Sequence, residues 1–228
     1  MLKKIFLWSN LLLCAAVVVC SVFLVWQQTF AQEEDDDTSF RLMVFGDSLS
    51  SGYRLKENEG YTAQLQNMLI HNGLDNVKVI NAAVAGNTTA DGLARLDDAL
   101  AQHPHAVILE LGANDLLKDL SITQAEKNLS TIIETFQAND VPVMLIGIQL
   151  PLILDLKGRE QLNKVYKDLA KKYNLTLYPH FLDGVLIKRL GIYDLKYMQE
   201  DTVHPTAEGV QIMVQKTFPV IKKFLMSL

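Results

Sequence analysis

Arg41-Leu42-Met43-Val44-Phe45 runs directly into Gly46-Asp47-Ser48-Leu49-Ser50. An apolar run with no polar alternation reads as a strand buried on both faces, the mark of a parallel sheet covered by helices. The glycine, acid and serines at its end read as a sharp turn. Outward from this stretch the pattern repeats. Residues 77–81, 106–111, 142–148 and 175–178 are short Val/Ile/Leu-rich runs bounded by turn residues, and each reads as a strand. Between them lie helix-period segments. Residues 62–72 close on Gly73, a C-cap. Residues 89–102 place Leu93, Leu96 and Leu100 on one face, and 123–139 open with Thr123 and Glu126 at capping-box spacing. Residues 159–173 follow. Residues 206–225 close the chain, started rigidly by Pro205 and kinked at Pro219. Strands alternating with helices predict a three-layer α/β/α sandwich around a central parallel five-stranded sheet, flavodoxin-like in plan.

The 228 residues are 49% hydrophobic and 21% charged, which is globular composition and suits one domain, expected over residues 40–228. Residues 1–31 read differently. Lys3 and Lys4 precede an apolar run over 5–26, and Thr29-Phe30-Ala31 follows, the layout of a secretory signal cut after Ala31. The rival reading is an uncleaved membrane anchor, because the run is long enough to span. Glu33, Glu34, Asp35, Asp36 and Asp37 make residues 32–39 an acidic spacer. The expected location is the periplasm or the medium, or the inner membrane if the leader is retained. Cys14 and Cys20 follow Leu13 and Val19 rather than a small residue, which argues against lipidation.

Both cysteines lie in this leader, so the remainder has no disulfide, no cysteine nucleophile and no Cys-based metal site. The leader holds two of the 21 Lys and Arg and none of the 26 Asp and Glu, leaving a net charge of −7. Such a surface repels a phosphate backbone and argues against nucleic acid as a partner. The expected state is a monomer.

In parallel sheets ligands bind beyond the carboxyl ends of the strands. The segments there are Gly46-Asp47-Ser48-Leu49-Ser50, Ala85-Gly86-Asn87-Thr88 and Gly112-Ala113-Asn114-Asp115. A fourth polar segment, Asp201-Thr202-Val203-His204-Pro205, precedes the last helix. A serine hydroxyl becomes a nucleophile only beside a base, and the base needs an acceptor to orient it. Ser48 at a strand end fits the first role, although its local sequence also fits a turn residue or N-cap. His204 fits the second, with Asp201 three residues earlier as the orienting carboxylate. His103 and His105 flank Pro104 at the opposite edge of the sheet and read as surface residues; His180, after the fifth strand, is a second-choice base. The N–H groups of Ser48 and Gly86 and the side-chain amide of Asn114 are the natural oxyanion donors. Asn114 and Asp115 also read as a polar loop that caps the next helix.

These four segments together resemble the GDSL, or SGNH, hydrolase family: block I at Gly46-Asp47-Ser48-Leu49-Ser50, block II at Gly86, block III at Gly112-Ala113-Asn114-Asp115 and block V at Asp201-Thr202-Val203-His204. The resemblance extends over Gly46 to Tyr53, Gly92 to Leu96, Glu110 to Asp115 and Gln149 to Pro151. It implies an SGNH hydrolase domain and a serine esterase that uses no cofactor and no metal. Ser48 is then the nucleophile, His204 the base, Asp201 its partner, and Ser48, Gly86 and Asn114 the oxyanion hole. The expected substrates are acyl thioesters, lysophospholipids and aryl esters. Two departures stand out. Asn87 occupies the place of an Asp common after the block II glycine, and the stretch after Gln149 is more apolar than in relatives. Leu150, Pro151, Leu152, Ile153 and Leu154 either line a groove for an acyl chain or pack as local core. Two rival functions are a carbohydrate O-deacetylase of the same fold and a non-catalytic binding module that keeps it.

Overall fold

The computed structural model describes residues 39–150, 157–187 and 192–228. The leader, all of the acidic spacer except Ser39, and four of the groove candidates, Pro151, Leu152, Ile153 and Leu154, lie outside the described residues. Phe40–Leu228 forms one compact unit.

Strand β1 (Phe40–Gly46) occupies the interior of a five-stranded sheet. Its neighbours are β2 (Val77–Asn81) and β3 (Ala106–Glu110); β4 (Val143–Ile146) and β5 (Thr176–Tyr178) continue the order β2-β1-β3-β4-β5. Every pairing is parallel. Leu42, Met43, Val44 and Phe45 are all fully buried, as a strand covered on both faces requires. The register sets Gly46 beside Glu110, so β1 and β3 end level.

The helices are α1 (Ser48–Ser51), α2 (Tyr61–His71), α3 (Thr89–Ala94), α4 (Leu96–Leu100), α5 (Ala113–Leu117), α6 (Ile122–Ala138), α7 (Arg159–Lys172) and α8 (Ala207–Leu225). They pack in two groups, α2 with α8, and α3 with α6 with α7. Tyr61 Oη and Thr217 Oγ1, 2.7 Å apart, tie the first pair below the surface. A short antiparallel pair, β6 (Leu186–Ile187) and β7 (Ile192–Tyr193), stands apart from the main sheet.

The structure revises several local readings. The helix expected over 89–102 breaks at Arg95, which leaves the helical region at φ −111° and ψ 18°. The cap of α6 is Ser121, whose Oγ accepts from the N–H of Gln124, so Thr123 lies inside the helix. Thr206 caps α8 through the N–H of Gly209, and Pro205 sits before the cap in a bridge with Met198. Pro219 lies within α8, which runs on to Leu225. The single-turn helices α1 and α5 and the β6–β7 pair are additions that no sequence period announced.

Candidate active site

The chain leaves β1 at Gly46 and turns at once. Asp47 caps α1, its Oδ1 accepting the N–H of Leu49 at 3.0 Å, and this places Ser48 at the first helical position. Only glycine fits at 46: a Cβ there would lie 2.6 Å from Glu110 Oε2 and 2.9 Å from the Glu110 carbonyl.

His204 comes from the other end of the sequence and meets Ser48. Its Nε2 lies 2.9 Å from Ser48 Oγ, and its Nδ1 lies 2.8 Å from Asp201 Oδ2. A carboxylate only accepts, so Nδ1 carries the proton and Nε2 is left to accept from the serine hydroxyl. The loop is built to hold this order. Thr202 takes a left-handed backbone at φ 57°, and Asp201 Oδ1 receives the backbone N–H groups of Val203 and His204 at 3.0 Å each. Burial pushes the Asp201 carboxyl up, but the N–H groups of His204 and Val203 outweigh it and bring it down to about 2.

Three neighbours frame the imidazole without having been marked by the sequence reading. The Tyr53 ring lies 4.6 Å from the His204 ring, tilted 46° to it, and Arg54 stands 3.6 Å from Asp201 Oδ2. Gln199 donates from Nε2 to the carbonyls of Tyr53 and Pro205, joining the two loops. Tyr53 falls within the stretch that resembles block I; Gln199 falls in no motif, and its bonds to main-chain carbonyls leave no sequence signal.

Of the other expected oxyanion groups, Asn114 reaches the same turn, and Gly86 precedes Asn87, to which Asn114 also bonds. Gly86 has φ 82°, a conformation open to glycine, and its carbonyl receives Lys118 Nζ at 3.0 Å. Asn114 stands on α5, its Nδ2 donating to Asp47 Oδ2 at 3.1 Å and to the Asn87 carbonyl at 3.0 Å. One carboxylate, that of Asp47, therefore caps the serine helix and anchors the Asn114 amide. Asp115 accepts from the N–H and hydroxyl of Thr89 in the first turn of α3, rather than capping the next helix.

Beneath this turn lie two buried acids. Glu110 Oε2 accepts from Ser50 Oγ at 2.6 Å and from the Asp47 N–H at 3.3 Å. Burial raises Asp47 to about 7, held back by bonds from Leu49 and Asn114. Burial, reinforced by the Asp47 charge, drives Glu110 well above the usual carboxylate range.

Other sequence candidates lie elsewhere. Leu150 is only 3% exposed and packs in the hydrophobic core, the second of the two readings given for it rather than the groove. His103 and His105 line a cleft of about 340 Å³ with Arg41 and Asp140, beside the start of β1. His105 Nδ1 there receives the Arg41 backbone N–H. Among the described residues no cluster of three His, Cys, Asp or Glu is arranged to hold a metal ion, and no helix is long and apolar enough to cross a membrane.

Comparison with known proteins agrees with this arrangement. Residues 44–212 match the GDSL-like Lipase/Acylhydrolase family. The chain is 35% identical to esterase TesA of Pseudomonas aeruginosa over 81% of its own length and 89% of that protein. It is 33% identical to thioesterase 1/protease 1/lysophospholipase L1 of Escherichia coli over 74% of its length and 76% of that protein. Among solved structures, the SGNH-hydrolase family esterase AlinE4 superposes with a TM-score of 0.66 at 39% identity, covering 82% of this chain and 97% of that one. Likeness of that extent, in sequence and in sheet, means that the chain belongs to the GDSL-like lipase/acylhydrolase family.

Proposed function

We propose that this esterase works through a triad of Ser48, His204 and Asp201, with the N–H groups of Ser48 and Gly86 and the Asn114 amide as its oxyanion hole. The observation that carries the reading is the unbroken hydrogen-bonded line from Asp201 Oδ2 through both ring nitrogens of His204 to Ser48 Oγ. As Oγ attacks the carbonyl carbon, its proton passes to Nε2. The imidazolium so formed sits against a carboxylate that stays ionised at any working pH. The tetrahedral oxyanion collapses, the C–O or C–S bond to the leaving group breaks, and Nε2 returns the proton to that group. Water then attacks the acyl-enzyme and gives a proton to Nε2; the bond from the acyl carbon to Oγ breaks, Nε2 returns the proton to Oγ, and the acid leaves.

The substrates proposed are acyl thioesters, lysophospholipids and aryl esters, in keeping with the names of the relatives at 33–35% identity. Export is proposed from the leader, which favours lipid esters over CoA thioesters as natural targets. Because the reaction needs a neutral imidazole, kcat/KM falls as the pH is lowered.

A hydrolysis panel of acyl thioesters, lysophospholipids, aryl esters and acetylated sugars, run with fluorophosphonate labelling, tests the reading. The wild type labels and cleaves at least one of the first three classes, whereas Ser48→Ala does neither. Labelling that survives Ser48→Ala would remove Ser48 from the mechanism.

A further inference from the structure

Arg95 takes no part in the steps above, yet its guanidinium ties together the segments that carry them. It stands where α3 gives way to α4 and turns inward, 3.9 Å over the Phe45 ring. Nε donates to Asn87 Oδ1 at 2.6 Å, one terminal nitrogen to the Ala82 carbonyl at 2.6 Å, and the other to the Gly46 carbonyl at 3.1 Å. All these acceptors are neutral. Gly46 immediately precedes Asp47, Ala82 follows β2, and Asn87 follows Gly86. One rigid planar fork thus spans the ends of two strands and the oxyanion loop.

Asn87 is held at both ends. Its side chain receives Arg95, and its backbone carbonyl receives Asn114 Nδ2. An amide nitrogen has two hydrogens. Those of Asn114 go to Asn87 and to Asp47, so these two residues set the direction of the amide, which turns one hydrogen to the oxyanion while the other stays as its anchor. Arg95 fixes Asn87 through its side chain and Asp47 through the Gly46 carbonyl.

We infer that Arg95, acting through Asn87, is a positioning residue for the oxyanion hole: its fork sets the register of Gly86 and Asn114 against Ser48. The inference rests on the proposed roles of Ser48, Gly86 and Asn114. A donor displaced from the developing oxyanion lowers kcat more than ground-state binding, because the charge it serves forms only in the transition state. Misplacement by about 1 Å costs up to roughly 100-fold.

The test measures kcat, KM and Tm with a p-nitrophenyl ester for wild type, Asn87→Ala, Asn87→Asp and Arg95→Lys, with Ser48→Ala as control. Asn87→Ala removes the acceptor while leaving the main chain in place, and kcat is expected to fall by about 10- to 100-fold with KM and Tm near the wild-type values. Asn87→Asp restores an acceptor for the guanidinium and recovers most of that loss. Arg95→Lys reaches fewer of the acceptors and also lowers kcat; if it does not fold, the two Asn87 variants decide alone. Wild-type kcat in Asn87→Ala overturns the inference. So does an equal loss in Asn87→Asp, or a kcat loss matched by a rise in KM or a fall in Tm. Activity persisting in Ser48→Ala would instead overturn the triad on which the inference rests.

Discussion

At Asp201 a single carboxylate receives the N–H groups of Val203 and His204 and the imidazole Nδ1–H. Replacing it with Asn puts an N–H where only acceptors fit. The imidazole then moves its proton to Nε2 and can no longer accept from Ser48. Asp201→Asn is expected to lose kcat on the order of 10³–10⁴-fold, with a smaller change in KM and an unchanged circular dichroism spectrum. A variant within tenfold of wild type would show that the carboxylate does not orient the ring. At this scale the sequence is informative where chemistry narrows the choice of residue. A strand-end serine, a histidine and an acid three residues before it form a small set. Gln199 stayed hidden because it acts on main-chain carbonyls, which any residue supplies, as do two of the three bonds from Arg95. Tyr53 was hidden for a different reason, since a contact with a ring from a distant loop has no local spacing.

The elements were readable in kind and less so in their ends. Four of the five strands fall within the apolar runs and β1 exceeds its run by one residue at each end; the interior strands β1, β3 and β4 have no polar face to confuse their period. Helix starts were harder. Ser121 and Thr123 both precede a polar residue by three, and only the backbone shows that Ser121 is the cap. The break between α3 and α4 follows from the inward turn of Arg95, which periodicity does not see. At the start of α3 the capping box is complete: Thr88 Oγ1 accepts the Asp91 N–H at 3.2 Å, and Asp91 Oδ2 accepts the Thr88 N–H at 2.9 Å. Removing a cap of this kind costs about 1 kcal/mol. Thr88→Ala is therefore expected to lower Tm by about 2–4 °C, the scale for a domain of this size, as scanning calorimetry would measure. An unchanged Tm would mean that water or another group replaces the cap.

Across the whole molecule, stability and activity respond to pH in opposite directions. The sheet brings Asp47 and Glu110 together in its interior, both fully buried. Burial raises both, Asp47 to about 7; the charge of Asp115 adds to the rise at Asp47, and that of Asp47 to the rise at Glu110. The folded protein therefore holds protons that the unfolded chain releases. Their contribution is greatest below the ordinary values of 3.8 and 4.5 and is lost as the pH rises through about 7 and beyond. Asp201 has the opposite sign: lowered to about 2, it stabilises above 3.8 and loses that effect as the pH falls toward 2. From these groups, stability is greatest on the acid side of neutrality, whereas turnover needs a neutral imidazole and rises with pH. Glu110→Gln separates the two effects, because the amide carbonyl can still accept from Ser50 and Asp47 but never ionises. Wild-type Tm is expected to fall between pH 5 and pH 8, and Glu110→Gln to flatten that fall while differing less from wild type at pH 4. Calorimetry across this range, with kcat/KM measured alongside, makes the comparison. Parallel Tm profiles for the two proteins would place the origin of the decline in the general negative charge of the surface rather than in the buried pair.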